Sequence, residues 1–170
     1  MMRDWDEAKY PTGFAATVWG VPVPTARHYV NEYLWLTPND RKAHVSGATT
    51  LLTGRRVLQG AIGAELAPSF RTAALSCEAA KYFTDFSNNL EAPGHSRNPG
   101  ELFDGALTAL AAYPNGEGVV IRVDGARLDQ VFFPIGPLGR QIRVVILLLN
   151  PIFKRVEIAL DKFDHGEEVA

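Results

Sequence analysis

The residues of this chain that could do chemistry are few and widely spaced. Its four histidines, His28, His44, His95 and His165, never fall three or four positions apart, so no helical metal pair and no zincin motif is formed. Gly60-x-x-Gly63 lacks the Lys-Ser/Thr pair of a phosphate-binding loop, and Gly136-x-x-Gly139 reads as a turn between two strands, which excludes a dinucleotide fingerprint. Ser46 and Ser76 have no nucleophile-elbow context. The single Cys77 lies among Ala74, Leu75 and Ala80 and reads as a small buried apolar side chain. Arg55-Arg56, directly after Gly54, is either an exposed turn pair or a contact for a phosphate or an acidic partner. Glu65, Glu78 and Glu91 are scattered, and Glu101 has a local role as a helix-capping residue.

Composition narrows the class. The chain has 170 residues, 46% apolar and 21% charged, with 17 basic against 19 acidic residues; a single globular domain with its own core is expected. A formal net charge of −2 argues against a nucleic-acid binder, which concentrates Lys and Arg on one face. Arg122, Arg127, Arg140 and Arg143 are too thinly spread to change that. One cysteine allows neither an intramolecular disulfide nor a cysteine-cluster metal site. The acidic start Asp4-Trp5-Asp6-Glu7 is unlike a signal peptide, and the most apolar run, 144–149, is far shorter than the roughly 20 residues of a membrane span. A cytoplasmic protein with no membrane contact is expected.

The elements that would carry these residues follow from periodicity. Residues 1–24, with three prolines and the aromatics Trp5, Tyr10, Phe14 and Trp19, predict an arm of weak regular structure that packs on its own domain or on a second subunit. Thr25 can cap a helix over 26–36. Residues 43–58 predict two short strands or one strand with a bend, with Gly60 and Gly63 in a loop. Phe70, Ala73, Ala74, Cys77, Ala80, Phe83 and Phe86 recur at helical spacing over 70–87. Asn98-Pro99-Gly100-Glu101 has the form of a capping box, predicting a helix over 99–113. From Gly118 the period becomes two: a strand, a tight turn at Asp124-Gly125, a returning strand over 127–135, a turn at 136–139, and a continuously apolar central strand over 141–149 closed by Asn150-Pro151. The tail 152–163 fits a helix or a strand, the helix being favoured. The fold class is α+β, an antiparallel sheet of about five strands with helices on one face. The segments divide as 1–42 arm and helix, 43–150 core and 151–170 C-terminal helix or tail.

That order, two short strands, helices, a long helix across the sheet and three antiparallel strands, resembles the PAS domain, and in particular the bacterial single-domain PAS signalling proteins. Phe133-Pro134-Ile135-Gly136-Pro137-Leu138-Gly139-Arg140 is similar to the "Leu-Pro-hydrophilic turn-Gly" step joining that group's last two strands. Val45-Ser46-Gly47-Ala48-Thr49 with Gly60-Ala61-Ile62-Gly63 is similar to its first strand and following turn. The similarity runs over about 43–150. Leu75-Ser76-Cys77-Glu78-Ala79 departs from the flavin-linked motif, and His95 precedes the long helix, so neither a photoreactive cysteine nor haem is implied, and the cofactor stays open.

The resemblance implies a sensory or regulatory module without intrinsic catalysis. It would bind a small apolar ligand or a signalling partner protein, and form a homodimer through the aromatic arm. Phe83, Phe86, Phe103, Leu107, Phe132 and Ile146 would line the concavity of the sheet or fill it. Two rivals stand beside this reading. One is a small enzyme on a cone-like α+β fold, with Asp129 and His44 or His95 as its acid/base pair. The other is a structural or interaction protein of a larger assembly, which a ring-shaped assembly would distinguish.

Overall fold

A computed structural model describes residues 4–41, 49–87, 97–123 and 144–169. Among these the chain is a mixed α+β structure with five α-helices and two small antiparallel sheets. The expected single sheet of about five strands is instead a two-stranded and a three-stranded one.

The N-terminal arm is regular. Strand β1 (Ala8–Pro11) pairs with β2 (Leu51–Thr53), and helices α1 (Thr12–Trp19) and α2 (Val23–His28) follow, α2 continuing into one π-helical turn, Tyr29–Tyr33. Its prolines start helices rather than break them: Pro11 and Pro22 stand at the N-caps of α1 and α2, and Pro24 lies in the first turn of α2, where no backbone donor is missed. Thr25 is therefore inside the helix and caps nothing. The aromatics pack within the chain, Trp5 on Phe153 and Tyr10 and Phe14 on Phe163.

Helix α3 (Gly54–Leu66) is the structural centre, buried around nearly its whole circumference. Thr53 caps it, accepting from the Arg56 amide at 3.2 Å. The glycines expected in a loop are here contact points: Gly54 lies under Trp5 and Leu160, Gly60 under Trp19, and Gly63 against Cys77 of helix α4 (Ala73–Thr84). Gly60 and Gly63 let a neighbour approach closer than a side chain would permit, which outweighs the intrinsic helix cost of glycine, up to ~1 kcal/mol; at Gly54 the contact is tight. Of the two strands or bent strand expected over 43–58, the described residues show β2 alone, since 54–58 belong to α3 and 42–48 lie outside the described residues. Helix α4 matches the expected helix, with Thr72 as its cap.

The helix expected over 99–113 is instead a turn followed by a strand. Asn98 and Glu101 do bond, amide Nδ2 donating to Oε2 at 2.9 Å and the Glu101 N–H to the Asn98 carbonyl at 3.2 Å. Gly100 (φ 75°) and Gly105 (φ 64°) are left-handed, so the turn cannot propagate as a helix. Residues 107–112 then form β3 (Leu107–Ala112), the middle of a sheet ordered β4-β3-β5, with β4 (Gly118–Val123) and β5 (Val145–Leu148) both antiparallel to it. The expected central strand, β5, is thus an edge strand among the described residues. Its apolar run has three destinations: Ile146 and Leu148 lie on the partly open outer face, Leu147 packs inward, and Leu149 opens helix α5 (Leu149–Asp164). Asn150-Pro151 begins that helix instead of ending the strand, and Asn150 Oδ1 accepts from the Thr108 amide at 2.7 Å. The favoured helical reading of the tail holds. The Asp124-Gly125 turn, the strand over 127–135 and the 136–139 turn lie outside the described residues.

One apolar cluster runs from Tyr10 through α3 and α4 to Leu160. No helix among the described residues is long and apolar enough to cross a membrane.

Candidate functional site

The residues expected to line a ligand cavity are divided by the structure. Phe83 and Phe103 are buried in the core, whereas Phe86 (42% exposed), Leu107 (48%) and Ile146 (39%) face outward. Leu107 and Ile146 share the outer face of the β4-β3-β5 sheet, where Val119 and Ile146 flank Ala111 and Ile121 and Leu148 flank Ala109. Phe132 lies outside the described residues, as do Asp129, His44 and His95 of the enzymatic alternative. His28 contacts the Tyr33 hydroxyl (2.8 Å) and His165 the Asp161 carbonyl (2.7 Å), both on the surface. No group of three or more His, Cys, Asp or Glu among the described residues is placed to hold a metal ion.

The polar side chains instead converge at the start of α3. A cleft of about 290 Å³ opens there, lined by Asp6, the loop Thr37-Pro38-Asn39, Arg55, the end of α4 (Thr84, Asp85) and Pro99. Arg55 lies across it. Its Nε and Nη2 donate to Asp6 Oδ1 and Oδ2 at 2.8 and 3.0 Å in a side-by-side fork, and its Nη1 donates to the Thr84 and Pro99 carbonyls at 2.9 and 2.6 Å. Behind it Arg56, fully buried, donates to both oxygens of Asp85 and to Gln59 Oε1 (2.6 Å), while the Thr84 hydroxyl donates to Asp85 Oδ2 at 2.7 Å. Asp40, also buried, lies 4.0 Å from Arg56 Nε and accepts from the Thr37 amide (2.9 Å), the Thr37 hydroxyl (3.0 Å) and the Thr53 amide (2.8 Å). Gln59 passes the network on to the Cys77 carbonyl at 3.1 Å.

The electrostatics of the Asp6–Arg55 pair follow from that fork. The hydrogen bond from Arg55 holds the Asp6 carboxyl below the usual aspartate range despite partial burial, and the reciprocal bond holds the Arg55 guanidinium above its own. Both groups stay charged across neutral pH.

Two arginines side by side at a helix N-terminus oppose the helix dipole. Arg55-Arg56 is not the exposed turn pair: both residues lie in the first turn of α3, Arg56 fully buried, and their acidic partners lie in the chain itself. No local signal marked it, because Asp6 and Asp85 stand 49 and 29 positions from the arginines they meet.

A second buried arginine was also missed. Arg97 is 4% exposed and has no carboxylate contact among its hydrogen bonds. Nη1 donates to the carbonyls of Phe83 (2.9 Å), Asn98 (2.9 Å) and Glu101 (3.3 Å), and Nη2 to those of Tyr82 (3.2 Å) and Phe86 (2.7 Å). Its guanidinium also lies 4.8 Å from the Phe83 ring centre. Burial pulls its pKa down to about 10, so it is still a cation at neutral pH, satisfying the carbonyls at the end of α4. Cys77, by contrast, is closed off: burial pushes its thiol up to about 12.

No protein-family model, no curated protein and no solved structure matches this chain.

Proposed function

We propose that the chain is a non-catalytic binding module of sensory or regulatory type, whose ligand occupies the cleft between Asp6, Arg55 and Asp85. One observation carries this reading: the cleft is walled by five segments distant in sequence, namely the N-terminal segment, the 37–39 loop, the start of α3, the end of α4 and the turn at Pro99. A molecule seated there would bind all five at once. Its binding energy would then favour the arrangement in which they are together over any in which one has moved away, which is how a binding event becomes a conformational signal. The pair across the cleft supports binding over catalysis, because Asp6 and Arg55 are both held firmly charged, whereas general acid/base chemistry uses groups poised near the working pH. The site carries the charged side chains of Asp6, Arg55 and Asp85, unlike the apolar concavity expected from the PAS resemblance.

The test is a native mass spectrum of the purified chain beside that of Asn39→Phe, a substitution at an exposed lining residue outside the Arg–Asp network. A bound small molecule present on the wild-type chain and lost from the variant is the expected result. A wild-type mass equal to the bare chain, with no cleft resonance shifting in NMR against a metabolite library, would refute the reading.

A further inference from the structure

We infer that the cleft takes a small zwitterion of amino-acid type, its carboxylate on Arg55 and its ammonium at Asp85, and that Asp6 occupies the carboxylate position in the free chain. This rests on the cleft being a binding site, as proposed above.

Arg55 is built as a carboxylate receptor. Its Nη1 is fixed by two backbone carbonyls, so the guanidinium plane is set in advance, and the edge left over, Nε with Nη2, is the one that matches two carboxylate oxygens. Asp6 fills that edge, and the distances of 2.8 and 3.0 Å show that a carboxylate fits there. Yet the Asp6 side chain is 48% exposed, and it is not what holds its segment in place. Trp5 does that, through its ring on Phe153 (centroids 5.3 Å apart) and its carbonyl, which accepts from the Arg55 amide at 3.1 Å. Asp6 can therefore rotate into solvent while the backbone stays, leaving the fork open to a second carboxylate.

Asp85 supplies the opposite end. Its two oxygens have about four acceptor positions, and Arg56 and Thr84 use three of them. Asp85 lines the cleft with its side chain 18% exposed, and among the described residues one acceptor position remains, suited to an ammonium donor. The same charge disfavours a phosphate dianion on Arg55, since it would face Asp85 across the cleft. A zwitterion meets both ends and adds no net charge. The volume agrees: about 290 Å³ is at the lower end of ligand pockets and suits a molecule of amino-acid size better than a nucleotide.

Displacement makes Asp6 a built-in competitor. An exposed ion pair of this kind favours the bound arrangement by a factor of up to about five, so removing the Asp6 carboxylate should tighten ligand binding by about that factor. The experiment is titration of the full chain, wild type and Asp6→Asn, with the twenty common L-amino acids, and separately with acetate and methylammonium. Binding is followed by calorimetry and by the Arg55 Nε–H resonance in NMR. Asp6→Ser serves as a second unplugged variant, and melting curves verify that each is folded. The expected result is that at least one amino acid shifts the Arg55 signal and binds both variants about five-fold tighter than wild type, with acetate and methylammonium each far weaker. Equal affinity in wild type and variants, or acetate binding as well as the amino acid, overturns the inference. If every probe is silent while the mass spectrum still shows a molecule that Asn39→Phe loses, the inference fails and the cleft survives as a site. If that molecule is absent too, the site itself fails.

Discussion

Gly60→Ala separates a packing glycine from a loop glycine. In an exposed helix interior the change would stabilise the chain by up to ~1 kcal/mol. Here the new methyl would lie 2.8 Å from Trp19 Cη2 and closer still to Cζ2 and Cε2. The indole cannot slide away freely, because it is 5% exposed and its Nε1 donates to the Val57 carbonyl of the same helix at 2.8 Å. Overpacking of this kind costs about 1–3 kcal/mol, and loosening the buried hydrogen bond adds about 1 kcal/mol. Against the propensity gain, a net loss of about 2 kcal/mol is expected. In urea denaturation the midpoint should fall with the slope unchanged, and the melting temperature should drop by about 4–8 °C for a chain of this length. Trp19→Phe removes the outer indole ring together with the Nε1 bond, so in that background Gly60→Ala should be neutral or slightly stabilising, giving a coupling of about 2 kcal/mol in the double-mutant cycle. A Gly60→Ala chain as stable as wild type, or one equally destabilised in both backgrounds, would show that the Trp19 contact does not decide the residue.

Two further outcomes are expected. Cys77, fully buried and with its thiol pushed up to about 12, should resist iodoacetamide at pH 8 in the native chain and react at once in denaturant; native labelling at the rate of a free thiol would contradict its placement between α3 and α4. Asp6 has its carboxyl lowered in the folded chain, so its stabilising contribution is complete above the unfolded aspartate pKa and is lost as pH falls through the folded one. The stability difference between wild type and Asp6→Asn should therefore be constant near neutrality, at most about 1 kcal/mol for so exposed a pair, and vanish in acid. A difference that persists at pH 2 would mean the carboxylate charge is not its source.

How much could be read in advance depends on the range of each signal. Helix α4 was legible because its apolar stripe is local, and β4 because alternation is local too. Residues 99–113 favour a helix for an instructive reason: Leu102, Phe103, Ala106, Leu107 and Leu110 satisfy a helical stripe, while 107–112, Leu-Thr-Ala-Leu-Ala-Ala, is a short apolar run that suits a buried strand equally well. The deciding facts, left-handed Gly100 and Gly105 and the pairing with β4 and β5, come from tertiary structure. Gly60 and Gly63 were read as loop residues because the Trp19 and Cys77 that require them lie on other helices. The cleft was the least legible part. Arg55-Arg56 reads as an exposed turn pair or a contact for an acid or a phosphate, and nothing near it in sequence points to Asp6 or Asp85.

The clasp made by Arg97 has a consequence for how the chain can be edited. Its guanidinium is bonded to the Phe86 carbonyl at 2.7 Å, so the polypeptide's departure from α4 and its re-entry are pinned to each other. Losing the guanidinium would release both at once and leave the carbonyls of Tyr82, Phe83, Phe86, Asn98 and Glu101 without this donor. Arg97 is therefore the residue that any edit of this scaffold has to keep.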